Sequence, residues 1–121
     1  MKIIYVAGAY RNEDANGVWD NIIHARRVAR QLWKMGLVAI CPHMNTAFMD
    51  GYDILPKTFL EGDLELLRRC DGILMLSNWK QSEGAIREWE VAKELEIPVI
   101  YEADGLLEFI MRVSRIKYTV D

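Results

Sequence analysis

Short apolar, β-rich runs alternate along this chain with longer stretches in which apolar residues recur at helical spacing. Ile3 to Ala7 is the first such run, closed by Gly8 and lacking polar residues at alternate positions, which predicts a strand buried on both faces. A polar loop from Arg11 to Gly17 follows. Ile22, Ile23, Ala25, Ala29, Leu32 and Trp33 then fit one helix, with Gly36 placed to end it. Leu37 to Cys41 reads as the second strand, broken by Pro42. From His43 through Asp53 the chain is polar and irregular and predicts a long connection of the kind that carries function or covers a site.

Phe59, Leu60, Leu64, Leu66 and Leu67 suggest a second helix within Lys57 to Cys70, leading into a third strand at Gly72–Leu76. A third helix near Ser82 to Leu95 leads through Ile97-Pro98 to a fourth strand, Val99–Tyr101. Leu106 to Val113 predicts a last helix and Ile116 to Val120 a short edge strand. This alternation implies an α/β fold over residues 1–121 as a single domain. Its parallel sheet of four to five strands has right-handed crossovers and helices on both faces, a Rossmann-like or flavodoxin-like arrangement.

Composition narrows the function classes. With 121 residues, 51% hydrophobic and 27% charged, the chain can bury one sizeable core without staples. Its net charge of −3 offers no general polyanion-binding surface, which argues against a nucleic-acid polymer but leaves small phosphorylated ligands open. Cys41 and Cys70 lie in or beside apolar runs without a C-x-x-C partner, so they read as free thiols suited to a reducing cytosol. Met1-Lys2 leads straight into the first strand, and no apolar run reaches membrane-spanning length. The expectation is a soluble cytoplasmic protein with no membrane partner.

The stretch Ser82-Glu83-Gly84-Ala85-Ile86-Arg87-Glu88 concentrates the chemistry, because it opens a helix directly after a buried strand. Ligands of open parallel sheets bind outside the carboxyl ends of the strands, where helix N-termini offer free N–H groups to anions. Glu88 is the leading catalytic candidate, and its place early in a helix predicts an ionised carboxylate better suited to nucleophile than to acid. Ser82 suits the N-cap, a role compatible with phosphate binding, and Gly84 permits close backbone approach to a ligand. Gly8 leaves room for a ligand across the sheet's end, and Tyr10 and Arg11 point into the same region. Gly8-Ala9-Tyr10 is not a dinucleotide fingerprint.

His43, after the second strand, stands at this edge as a contact for base or phosphate, or as a solvated loop residue. His24 reads as a surface or interface residue. The two histidines lack metal-ligand spacing and a Cys cluster, which argues against zinc, and no cofactor is expected. Trp79, in the loop before Ser82, can stack on a base or fill a subunit interface. Asp63 is the second carboxylate of interest, whereas Asp71 lies at the opposite strand end and reads as structural.

Gly8-Ala9-Tyr10, the Asp63-Leu-Glu-Leu-Leu-Arg-Arg-Cys-Asp71 segment with its following strand, and Ser-x-Gly-x-x-x-Glu together resemble the nucleoside 2-deoxyribosyltransferase superfamily, closest to small phage and bacterial members. The deoxynucleoside monophosphate N-glycosidases show a similar succession. The resemblance implies Glu88 as nucleophile, Ser82 as phosphate contact, and Asp63 beside the nucleophile, holding ribose or helping protonate the departing base. Ala9 departs from the proline common at that place. The implied reaction cleaves or transfers the N-glycosidic bond of a 2′-deoxynucleoside or its 5′-monophosphate.

Two other readings stay open: a nucleotide or ADP-ribose-type binding module without turnover, and a phage-type protein interaction domain. A homo-oligomer is also implied, and the placement of Trp19, Trp33, Trp79 and Trp89 off the strands suggests a two-fold dimer built from the first and third helices. In that arrangement Trp89 faces the partner.

Overall fold

The computed structural model describes residues 1–47, 49 and 53–105. Within them the chain runs β1 (Ile3–Ala7), α1 (Ala15–Lys34), β2 (Val38–Ile40), α2 (Pro42–Asn45), α3 (Pro56–Arg68), β3 (Gly72–Met75), α4 (Glu83–Glu94) and β4 (Val99–Tyr101), with 3₁₀ turns at Trp79–Gln81 and Glu102–Asp104. The strands form one parallel sheet in the order β2-β1-β3-β4. The helix and edge strand expected at Leu106–Val113 and Ile116–Val120 lie outside the described residues.

Burial on both faces explains the apolar character of β1. Ile4 and Val6 face α1 and pack with Ala25, Val28, Ala29 and Leu32, while Tyr5 and Ala7 face α3 and α4 with Leu64, Leu67, Ala85 and Ala92. Two apolar layers therefore sandwich the sheet. Asp14 caps α1 by accepting from the Gly17 N–H at 2.8 Å, and Gly36 leaves the helix at a φ of 81°, a left-handed value that glycine adopts without strain. Proline opens α2 and α3, where its missing N–H costs nothing.

The chain visits β1 and β2 and then crosses to β3 on the other side of β1, so β1 is the point where strand order reverses. At the opposite end of the strands Asp71 accepts the Ile3 N–H at 2.8 Å, which fits the structural role read from its position. One corrected element is α2, a single helical turn where the sequence suggested irregular connection. Pro42 both ends the second strand and starts that turn.

Candidate active site

A cleft of about 680 Å³ opens at the carboxyl ends of β1 and β2, between α3 and α4, a volume within the range that small-molecule sites occupy. Its walls come from the residues following β1, from α2, from the first two turns of α3, and from the start of α4. Short connections after each strand bring these segments together at the switch point.

Glu88 lies in this cleft, only 8% exposed, one and a half turns into α4. The fully buried Tyr5 hydroxyl donates to its Oε2. Burial pushes the Glu88 carboxyl up to about 8, with the Tyr5 hydrogen bond pulling the other way and the charge of Asp63 adding to the rise. This corrects the expectation of a macrodipole-favoured carboxylate, because desolvation outweighs the dipole. Asp63, on α3, lines the same cleft and is itself raised to about 6 by partial burial. Burial, Glu88 and Asp63 in turn hold the Tyr5 phenol well above its ordinary range, so it stays a donor. The sequence places Tyr5 only within a buried strand; the signal for a further role is its lone hydroxyl inside an otherwise apolar run.

Ser82 caps α4, its Oγ accepting the Ala85 N–H at 3.1 Å, and it lines the cleft together with Glu83 and Gly84. A Cβ at Gly84 would touch nothing closer than Ser82 Oγ at 3.7 Å, which leaves that approach open to a ligand. Gly8 has a different reason. An added Cβ would stand 2.6 Å from Leu76 Cδ1 and 2.8 Å from Asn78 Oδ1, so glycine here makes room for the protein's own β3 end as well as bordering the cleft.

Tyr10 and exposed Arg11 both border the cleft, and the Tyr10 ring meets His43 edge to face at a centroid distance of 5.7 Å. His43 is buried, not a solvated loop residue as its polar surroundings suggested, because α2 turns it inward. Its Nε2 lies 2.8 Å from the Ala9 carbonyl, and burial lowers its pKa. Lys57, at the start of α3, adds a second cation at the rim, where it also pairs with Glu61 at 3.7 Å. Both thiols are free, and burial holds each up at about 11. Among the described residues no group of three His, Cys, Asp or Glu side chains is placed to hold a metal ion.

The profile of DUF4406, a domain of unknown function, matches residues 2–101. The chain belongs to the DUF4406 family. No curated protein matches its sequence. Among solved structures, this DUF4406 fold is similar to a 2-deoxyribosyltransferase from Bacillus psychrosaccharolyticus, with a TM-score of 0.60 and 21% identity over 82% of the chain and 70% of that enzyme. A 2-deoxyribosyltransferase from Leishmania mexicana gives 0.54 and 18% over 84% of the chain, which spans 63% of that enzyme. A conserved protein from Enterococcus faecalis V583 gives 0.61 and 20% over 99% and 77%. The DUF4406 chain thus has the α/β fold of the deoxyribosyltransferases.

Trp79 is the candidate that the structure does not bring to the cleft. Its ring packs on Trp89 at 5.3 Å and Tyr101 at 6.3 Å, and the Trp89 indole donates to the Tyr101 hydroxyl at 2.9 Å. Trp89, expected to face a partner, is partly buried against its own chain through these contacts. His24, read as a surface or interface residue, is partly exposed and meets Glu102 at 2.9 Å within the chain, and Glu102 also accepts the Ser77 N–H at 2.8 Å. No helix among the described residues is long and apolar enough to cross a membrane.

Proposed function

We propose that this protein cleaves or exchanges the N-glycosidic bond of a 2′-deoxynucleoside or its 5′-monophosphate. What supports this reading is the pair of carboxylates, Glu88 and Asp63, lining a cleft of small-molecule size, with the fully buried Tyr5 hydroxyl, itself outside the cleft lining, donating to Glu88. The ionised Glu88 carboxylate bonds to C1′ as the C1′–N bond breaks. The bonding pair leaves on the base nitrogen, which takes a proton from solvent. Water then displaces Glu88 to complete hydrolysis, or a second base displaces it to complete transfer.

Asp63 holds a proton only below about pH 6, whereas Glu88 ionises only near pH 8. Charge therefore favours Asp63 as the group that accepts hydrogen bonds from sugar hydroxyls over Asp63 as the acid for the leaving base. Ser82 and the first N–H groups of α4, with Arg11 and Lys57 at the rim, suit a 5′-phosphate.

A binding module without turnover is the second reading, favoured by a Glu88 that is mostly neutral at pH 7. Incubating the protein with a panel of deoxynucleosides and their monophosphates, and following free base by chromatography, separates the two. Base release supports the enzyme; tight binding without release supports the module.

A further inference from the structure

Ala9 stands where β1 has left the sheet, beyond the last ladder bond from the Leu76 N–H to the Ala7 carbonyl at 2.8 Å. Both groups of residue 9 are nevertheless paired, and by side chains. Its N–H donates to Asn78 Oδ1 at 3.0 Å, and its carbonyl accepts from His43 Nε2 at 2.8 Å. Asn78 follows β3 and His43 follows β2, so each strand flanking β1 sends one side chain to the turn. Asn78 Nδ2 in turn donates to Asn21 Oδ1 at 3.4 Å, and Asn21 Nδ2 donates to the Tyr10 carbonyl at 3.2 Å.

The chemistry of the partners fixes the roles. A carbonyl only accepts, so His43 Nε2 carries the hydrogen, and an amide N–H only donates, so Asn78 must present its oxygen. Gly8 leaves the space Asn78 needs, since a Cβ there would press on Asn78 Oδ1 at 2.8 Å. Beyond the clamp comes Tyr10, whose ring lies edge-on to His43 at the cleft wall.

We propose that Asn78 and His43 are positioning residues, which fix the turn at Ala9 and thereby hold Tyr10 against the sugar or base of the bound ligand. The ligand's identity rests on the function proposed above; the clamp itself does not. A turn past the end of a sheet ladder ordinarily opens easily, and two added hydrogen bonds from neighbouring strands suppress that opening. Preorganising Tyr10 in this way lowers the ordering cost of binding and so acts on KM more than on the chemical step.

Amide hydrogen exchange by NMR, with kinetics on the same proteins, tests this. In Asn78→Ala the Ala9 amide is expected to exchange about tenfold faster, the effect of losing one net hydrogen bond, while Tyr5 and Val6 keep their protection. Asn78→Asp keeps an acceptor oxygen and is expected to keep Ala9 protected. On any substrate the wild type cleaves, Asn78→Ala is expected to raise KM about fivefold or more with kcat and its pH dependence retained.

Unchanged Ala9 exchange in Asn78→Ala, or rapid Ala9 exchange in a folded Asn78→Asp, overturns the clamp. Faster Ala9 exchange with unchanged KM overturns the positioning role. A wild type that releases no base defeats the functional reading, and the exchange comparison still decides the clamp.

Discussion

At the residue scale, the decisive contest is between burial and charge at Glu88. Helix position favours an ionised carboxylate, but its near-complete burial wins, and the Tyr5 hydroxyl supplies only partial compensation. Tyr5→Phe removes the interaction that lowers the Glu88 pKa. The alkaline shift this causes in the rising limb of kcat/KM is measurable in a pH–rate profile, and no shift would exclude the hydrogen bond as a tuning element. Stability follows the same proton. With a folded pKa near 8 against an ordinary 4.5, the native state binds more protons than the unfolded chain across that window, so stability falls as pH rises from about 4.5 to about 8. Glu88→Gln, which imitates the neutral form, is expected to flatten this part of the melting-temperature profile. Ser82→Ala is expected to weaken monophosphate binding by about tenfold and nucleoside binding much less, as calorimetry would show; equal losses would reduce Ser82 to a helix cap.

At the scale of elements, the strand-and-helix succession was legible because burial writes itself into periodicity. β1, β3 and β4 are apolar runs, and α1, α3 and α4 show helical stripes that end at Gly36, Arg68 and Glu94. What periodicity does not carry is direction at the ends of elements. α2 is too short to show a period, so nothing in the sequence revealed that His43 turns inward or that Ala9 is its partner. Trp79 misled for a related reason: its neighbours Trp89 and Tyr101 belong to other elements, and only the fold brings the three rings together. Tyr5 was legible as buried and not as functional, because its partner Glu88 lies 83 residues away. Gly8→Ala tests the packing of the switch point. The added methyl meets Leu76 and Asn78, and a loss of about 1–3 kcal/mol in denaturant unfolding is expected, whereas an unchanged midpoint would show that the β3 end yields freely.

For the whole molecule, one α/β layer structure gathers residues from across the described chain into one cleft, with carboxylates on its floor and Arg11 and Lys57 at its rim. Assembly is a proposal that the tryptophans now support less evenly. Trp19 and Trp33 are half exposed on α1, whereas Trp89 is partly buried and bonded to Tyr101. A two-fold dimer through α1 remains the expectation, and light scattering at micromolar concentration should give about twice the 14.0 kDa chain mass; a monomer throughout would remove it.

If the buried Glu88 carboxylate breaks a glycosidic bond once ionised, base release from deoxynucleosides and their monophosphates, measured from pH 5 to 10 with wild type and Glu88→Gln in parallel, should depend on both pH and that carboxylate. The expected result is a kcat/KM that rises with pH to a plateau above about 8 in the wild type and no detectable release from the folded variant. Turnover by Glu88→Gln at the wild-type rate on the same substrate would contradict this role of Glu88.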